Sequence, residues 1–301
     1  MKSSPVKIIT GYVLICLIWG STWLAIRASL ESLTPFISAG SRFLAASGFI
    51  FILMKIRGVS LQRDKDSIRL YILMGFFSFV IPFGLVYWAE QFVPSGLASV
   101  LFAVYPFFVA IFSYIRMPDE KIGKFKITGM ITGFLGIIVI FSDSFSTNLS
   151  DLFLGMVAVA LSGIMQAWIA VTLKKWGKHL NPLSMNFVPM LIAGIVGLIF
   201  GFLTEDLSYI RINQTAVISV LYLAFFGSLV TFTVFYWLMK RINVILLSFT
   251  AFITPIIALI LGWLFYQEVL TTRHFTGSVL VLIGLLTANF DFVLANKTKT
   301  K

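Results

Sequence analysis

Charge is scarce in this chain, and two ionisable residues beside or within apolar stretches stand out, Arg42 and Glu90. Arg42 is the only basic residue well inside an apolar stretch, where a charge is expensive and usually functional. Three roles fit it: contact with a substrate, an ion pair with Glu90, or snorkelling of its long side chain to the surface. Glu90 follows an apolar run and can bind a proton or an ammonium group; partial desolvation raises its pKa toward a range useful for coupling. The plainer reading is a solvated loop carboxylate. Other chemistry is poorly served. His179 and His274 fall at opposite ends of their stretches, and no apolar stretch carries paired acids, so no nucleophile–base set assembles. Cys16 is the one cysteine, which excludes a disulfide framework, and two histidines make a structural zinc site untenable. No Gly-x-x-x-x-Gly-Lys phosphate loop is present, so primary pumping by this chain is excluded. Nothing resembles a filter ring of a channel.

The elements that must position these residues follow from composition. The chain has 301 residues, 59% of them hydrophobic and 12% charged. Soluble domains carry about 25% charged residues, and one aqueous core could not hide this much apolar surface. A bilayer span takes about 20 apolar residues as a helix. Ten stretches are expected: Ile8–Ile26, Phe36–Met54, Ile68–Ala89, Ser95–Ile115, Phe125–Phe141, Leu152–Leu173, Leu183–Leu203, Ala216–Met239, Val244–Tyr266 and Phe275–Leu294. The fold class is an all-α polytopic membrane protein with ten transmembrane helices. The first stretch is long and lacks a small-residue cleavage site, which makes it a retained helix.

With the N-terminus in the cytoplasm, 19 lysines and arginines fall on the inner side and only Arg27, Arg211 and Arg273 on the outer. That bias puts both termini in the cytoplasm. It also explains the formal charge of +11 without nucleic acid.

Tyr71–Pro106 lies on Val220–Pro255 without a gap, and the Tyr87-Trp88/Tyr236-Trp237 and Pro106/Pro255 matches carry the weight. Glu120, Gly129 and Gly136 recur as Glu268, Gly277 and Gly284. This is a duplication, with repeats 1–146 and 147–301. Five helices per repeat is odd, so the second copy enters from the opposite side, and the repeats are inverted as in many secondary transporters.

Residues near the middle of each stretch share one depth: Trp19, Gly20, Ser78, Pro82, Tyr105, Pro106, Gln166, Gly227, Ser228, Thr231, Thr254 and Pro255. Polar groups there must face protein or water. The candidate cavity set is Trp19, Ser21, Ser78, Tyr87, Glu90, Tyr105, Gln166, Ser228, Thr231 and Tyr236, with Arg42 and Glu90 as charge-coupling residues. Singly, each hydroxyl can instead bond its own helix, and each ring can merely fill a gap. Pro106 and Pro255 each remove a helix hydrogen bond and are candidate hinges. Glu120 and Glu268 are expected to cap the fifth and tenth helices. Gly129-x-x-x-Gly133 and Gly197-x-x-x-Gly201 are packing faces, or a dimer contact.

Ile18-Trp19-Gly20-Ser21, Pro35 with Ser41-Arg42-Phe43, Ala89-Glu90-Gln91-x-x-Pro94-Ser95-Gly96-Leu97-Ala98, and Pro106 with Glu120 and Gly129 form an ordered set. Together they resemble the EamA family of the drug/metabolite transporter superfamily. The resemblance implies ten helices in two inverted five-helix repeats. It also implies a central cavity formed mainly by helices one, three, four, six, eight and nine, and movement of small metabolites across the inner membrane, often outward. The Trp-Gly-Ser signature has no clear second copy, Arg42 aligns with Pro189 and Glu90 with Met239, so the cavity is expected to be chemically lopsided. The function expected is a secondary transporter, an exporter of small amphipathic metabolites such as amino acids; a multi-pass membrane enzyme acting on lipid is the alternative. No cofactor is expected. The expected partners are a small-molecule substrate, protons as the coupling ion, and membrane lipid, in a monomer or weak homodimer.

Overall fold

The computed structural model describes residues 5–116, 124–142, 151–248, 250–269 and 271–288. In chain order the helices are α1 (Pro5–Leu30), α2 (Pro35–Ile56), α3 (Lys65–Ala89), α4 (Ser95–Arg116), α5 (Lys124–Phe141), α6 (Asp151–Trp176), α7 (Ser184–Thr204), α8 (Gln214–Met239), α9 (Val244–Tyr266) and α10 (Thr272–Ala288). Eight of them, all but α5 and α10, are long and apolar enough to cross a bilayer. Large apolar side chains such as Ile56, Leu203 and Phe265 are exposed on the outside of the bundle. Such a surface is hostile to water and suited to lipid. This is an integral, multi-pass membrane protein.

Local sequence sets the helix boundaries. Pro35 opens α2, where a missing N–H costs nothing, and Pro94 precedes α4. Asp64 and Asn213 accept from the backbone N–H groups of Ser67 and Ala216 and so cap α3 and α8. Two helices are irregular inside. Gly75–Val80 of α3 and Phe225–Val230 of α8 wind as π-helix. These segments fall in the duplicated stretch, one residue out of register with the sequence match.

α2 packs along α7 and α5 along α10, while α1 packs on α9 as α6 packs on α4. Exchanging α1–α5 for α6–α10 maps this pairing onto itself. The glycine faces sit at these contacts: Gly197 lies against Gly40, and Gly284 against Gly129 and Gly133. The small-residue stripes are thus engaged within the chain.

Polar groups tie both ends of the bundle. At the α1–α2 end, the Glu205 carboxylate beyond α7 accepts from the Phe36 and Ile37 N–H groups at 2.9 and 3.1 Å. Glu268 beyond α9 accepts from Ser95 N, Ser95 Oγ and Gly96 N at 2.9, 2.8 and 3.0 Å. Glu268 therefore caps α4, correcting the expectation that it caps α10, whose first turn is met by the Thr271 hydroxyl at His274 N. The cause is local. Gln267 has φ 52°, which folds Glu268 N back onto Gly262 O and turns its carboxylate across the bundle. Gly262 leaves room for it, since a Cβ there would sit 2.4 Å from Glu268 Oε2. Glu120 lies outside the described residues. At the other end, Lys174 donates to Met239 O and Ile242 O at 2.5 and 2.7 Å, and Lys240 donates to Lys178 O and Leu180 O. Carboxylates thus meet helix N-termini at one end and ammonium groups meet helix C-termini at the other, each sign where the dipole favours it.

The packing prediction concerns Gly194, where a Cβ would come within 2.6 Å of Leu44 N. Gly194→Ala is expected to destabilise by about 1–3 kcal/mol, as overpacking does. Gly48→Ala, at a site with nothing within 4 Å, is the control. Melting of both variants in detergent measures this; equal melting temperatures would contradict the α2–α7 contact.

Candidate functional site

A cavity opens between the helices, lined by residues from α1, α2, α3, α4, α6, α8 and α9. Its walls are helical stripes. Trp19, Thr22, Trp23 and Ile26 present one face of α1; Gln166, Ile169, Ala170 and Leu173 present one face of α6. Phe232, Phe235 and Tyr236 come from α8, Phe102 and Tyr105 from α4. Rings lean on one another: Trp19 meets Phe232 and Phe235, each at 5.2 Å between centroids, and Phe102 stacks on Tyr105 at 5.8 Å. Aromatic edges and faces in this arrangement give a rigid apolar wall.

One charge interrupts it. Arg42 lines the cavity while only 1% exposed overall. Its Nε donates to Ser228 Oγ at 2.9 Å, Nη1 to Tyr87 Oη at 3.3 Å and Nη2 to Gly227 O at 3.2 Å. The guanidinium also lies 4.9 Å from the Phe83 ring centre and 5.1 Å from that of Phe43, a favourable placement for a delocalised cation. The π-helical segment of α8 supplies two of the three acceptors. Gly227 carries no Cβ there, which would press on Thr22 Cγ2 at 2.8 Å and Arg42 Nη2 at 3.3 Å. Interruptions of this kind recur at functional sites.

Neither of the two structural roles foreseen for Arg42 is realised. It does not reach the surface, and it makes no ion pair with Glu90, whose two carboxylate oxygens are buried without a hydrogen-bond partner among the described residues. Nor is Glu90 a solvated loop carboxylate, being 0% exposed. It sits just past α3, where Arg27 Nη1 donates to its backbone oxygen at 2.8 Å and leaves the side chain alone. Burial holds its carboxyl well above the usual carboxylate range. Glu268 pushes the same way, against weaker opposing pulls from Arg27 and Arg42.

Of the candidate site residues read from the sequence, Trp19, Ser78, Tyr105, Gln166, Tyr236 and Arg42 line the cavity, as does Thr254 from the midplane set. Ser21, Tyr87, Glu90, Ser228 and Thr231 do not. Ser21 Oγ bonds Tyr222 Oη at 2.6 Å on another side of α1, and Thr231 bonds Gly227 O. Tyr87 and Ser228 instead stand behind Arg42 and hold it. Phe83, Phe102, Phe232 and Phe235 line the wall without having been singled out; for Phe102, three residues from Tyr105, and Phe232, four from Tyr236, helical spacing was the available signal. The two prolines differ. The helix breaks at Ala103–Val104, just before Pro106, but runs on through Pro255.

The chain matches the EamA-like transporter family over residues 6–142 and again over 153–290. It belongs to that family. Among relatives, the uncharacterized transporter YoaV of Bacillus subtilis (strain 168) is 27% identical over 95% of this chain and 98% of its own. The uncharacterized inner membrane transporter YedA of Escherichia coli (strain K12) is 31% identical over 82% of this chain and 78% of its own. A protein of known crystal structure shares the fold, with a TM-score of 0.72 at 17% identity, covering 96% of this chain and 99% of the other. The chain is thus a membrane transporter by family.

The buried acid gives a pH prediction. A carboxyl with a raised folded-state value keeps its proton when folded and loses it when unfolded, so stability falls as pH rises above 4.5 toward the folded value. Glu90→Gln removes that slope. It should melt with the wild type near pH 4 and progressively above it toward about pH 7.5; parallel melting curves across that range would contradict a buried neutral Glu90.

Proposed function

We propose that the protein is a secondary transporter that exports a small amphipathic molecule by alternating access, with residues 1–146 and 147–301 as inverted halves around the cavity. The observation that carries this reading is where the cavity lies. Its wall draws on α1, α3 and α4 and on their repeat equivalents α6, α8 and α9, so both halves border one space, as a rocking mechanism needs.

The charge distribution supports an orientation. On the positive-inside bias, the end carrying Lys174, Lys178 and Lys240 is proposed as the cytoplasmic one. Leu173 and Tyr236 line both this cavity and a second one bordered by those lysines. Continuity through these two residues offers a route from the proposed cytoplasmic end, while Glu268 and Glu205 hold the opposite end together. A cavity that loads from the cytoplasm and is tied shut outside is suited to export. Proton exchange through Glu90 is the proposed coupling, because a buried carboxyl that is neutral in one arrangement can ionise when the other exposes it to water.

The test is flux through purified protein in proteoliposomes, starting from a counterflow screen of labelled amino acids and small aromatic acids. Trp19→Ala and Tyr105→Ala are expected to lower the rate of the best compound about tenfold, the scale of losing a large aromatic contact, with unchanged amounts of protein in the membrane. Glu90→Gln is expected to abolish gradient-driven accumulation and spare exchange. Unchanged flux in both aromatic variants would remove the cavity from the pathway, and full accumulation by Glu90→Gln would remove the proton assignment.

A further inference from the structure

Resting on the transport reading, we infer that the substrate is an organic monoanion, an apolar or aromatic body bearing one carboxylate and no cationic group, whose carboxylate pairs with Arg42.

The inference starts from a charge that the described residues leave unbalanced. A buried ion is costly unless an opposite charge and hydrogen bonds answer it. Arg42 has hydrogen bonds, and all three go to neutral groups: a hydroxyl, a phenol and a carbonyl. The Glu90 oxygens hydrogen-bond to nothing among the described residues, so Glu90 acts on Arg42 only by a weak through-space attraction and makes no ion pair with it. No aspartate or glutamate is among the described residues that line the cavity. A guanidinium has five N–H donors in a planar fork. Three are in use here, and one on each terminal nitrogen remains. Donors on the terminal nitrogens of a guanidinium suit the oxygens of a carboxylate.

The wall sets the other half of the chemistry. Phe83 and Phe43 flank the guanidinium, and Trp19 and Phe102 continue the aromatic surface away from it. An anion entering here lays its apolar body on rings and its charged end on Arg42. An ammonium group would meet no carboxylate on that wall and would be repelled by Arg42. A zwitterion therefore keeps only part of the benefit, and a cation none of it. One guanidinium balances one negative charge, so a dianion would carry its second charge into the apolar space uncompensated. The duplication points the same way. The position aligned with Arg42 in the second repeat is Pro189, so the site has one charged anchor rather than two symmetric ones.

Four probes of one shape separate the possibilities: 3-phenylpropionate, its neutral amide, phenylalanine and phenethylamine. Binding is measured on the purified full-length protein in detergent by calorimetry. The wild type should bind 3-phenylpropionate about tenfold or more tightly than the amide, the scale of a hydrogen bond to a charged group, with phenylalanine weaker than the acid and phenethylamine weakest. Arg42→Gln should bind acid and amide equally, and Arg42→Lys should recover part of the preference, since it restores the charge without the fork. Equal binding of acid and amide by the wild type, or preference for the amine, overturns the anion assignment and leaves the cavity as a binding site. Lack of saturable binding by all four overturns both. Should Arg42→Gln not fold, the wild-type comparison decides by itself.

Discussion

The structure turns on one guanidinium buried in an apolar bundle. Leaving an ion out of water costs several kcal/mol even after the protein relaxes, and the chain spends a good deal of local architecture to hold Arg42 there. The π-helical turns of α8 present Gly227 O and Ser228 Oγ, Tyr87 supplies a phenol from α3, and Phe83 and Phe43 flank the charged plane. These groups fix the position of the charge without cancelling it. The rest of the cavity wall is mostly aromatic and aliphatic, with Thr22, Ser78, Gln166, Thr250 and Thr254 as neutral polar groups, so the one charge orients a ligand.

Around that centre the architecture serves two needs at once. Close glycine contacts lock α2 to α7 and α5 to α10, while the larger gap between α1, α3, α4, α6, α8 and α9 stays open as the cavity. The ends of the bundle are held by reversible polar contacts rather than by apolar packing alone. Carboxylates on the N-termini of α2 and α4, and lysines on the C-terminal carbonyls of α8 and the turn after α6, are bonds that water can replace. A bundle whose ends are closed by such contacts can open without unpacking its core.

Much of this was legible in the sequence. Apolar runs of bilayer length gave the helices, and the Tyr-Trp and proline matches gave the duplication, which the family match over two successive segments repeats. Depth along the helix picked out Trp19 and Tyr105. Ser21, a candidate cavity residue beside Trp19, points to Tyr222 instead of the cavity, because depth carries no rotational phase. The π-helical segments shift the phase of α3 and α8 by a residue, and no local residue pattern announces them, so the places of Ser228 and Thr231 could not be read. Glu268 was misassigned for a different reason. Its partners, Ser95 and Gly96, lie more than half the chain away, and only the left-handed turn at Gln267 sends the carboxylate to them.

Arg42 and Glu90 illustrate the same boundary between pattern and geometry. Two opposite charges in an apolar chain invite pairing, and sequence offers no way to refuse it. In the fold they do not pair: Arg42 faces the cavity, and Glu90 is buried just past α3, where burial holds its carboxyl above the usual carboxylate range. The measurement that bears most directly on the account is an experimental structure of the protein in lipid with 3-phenylpropionate bound. The account predicts its carboxylate against the two free N–H groups of Arg42 and its ring on the aromatic wall. An ionised Glu90 paired with Arg42, or the ligand's ring end at the guanidinium, would contradict it.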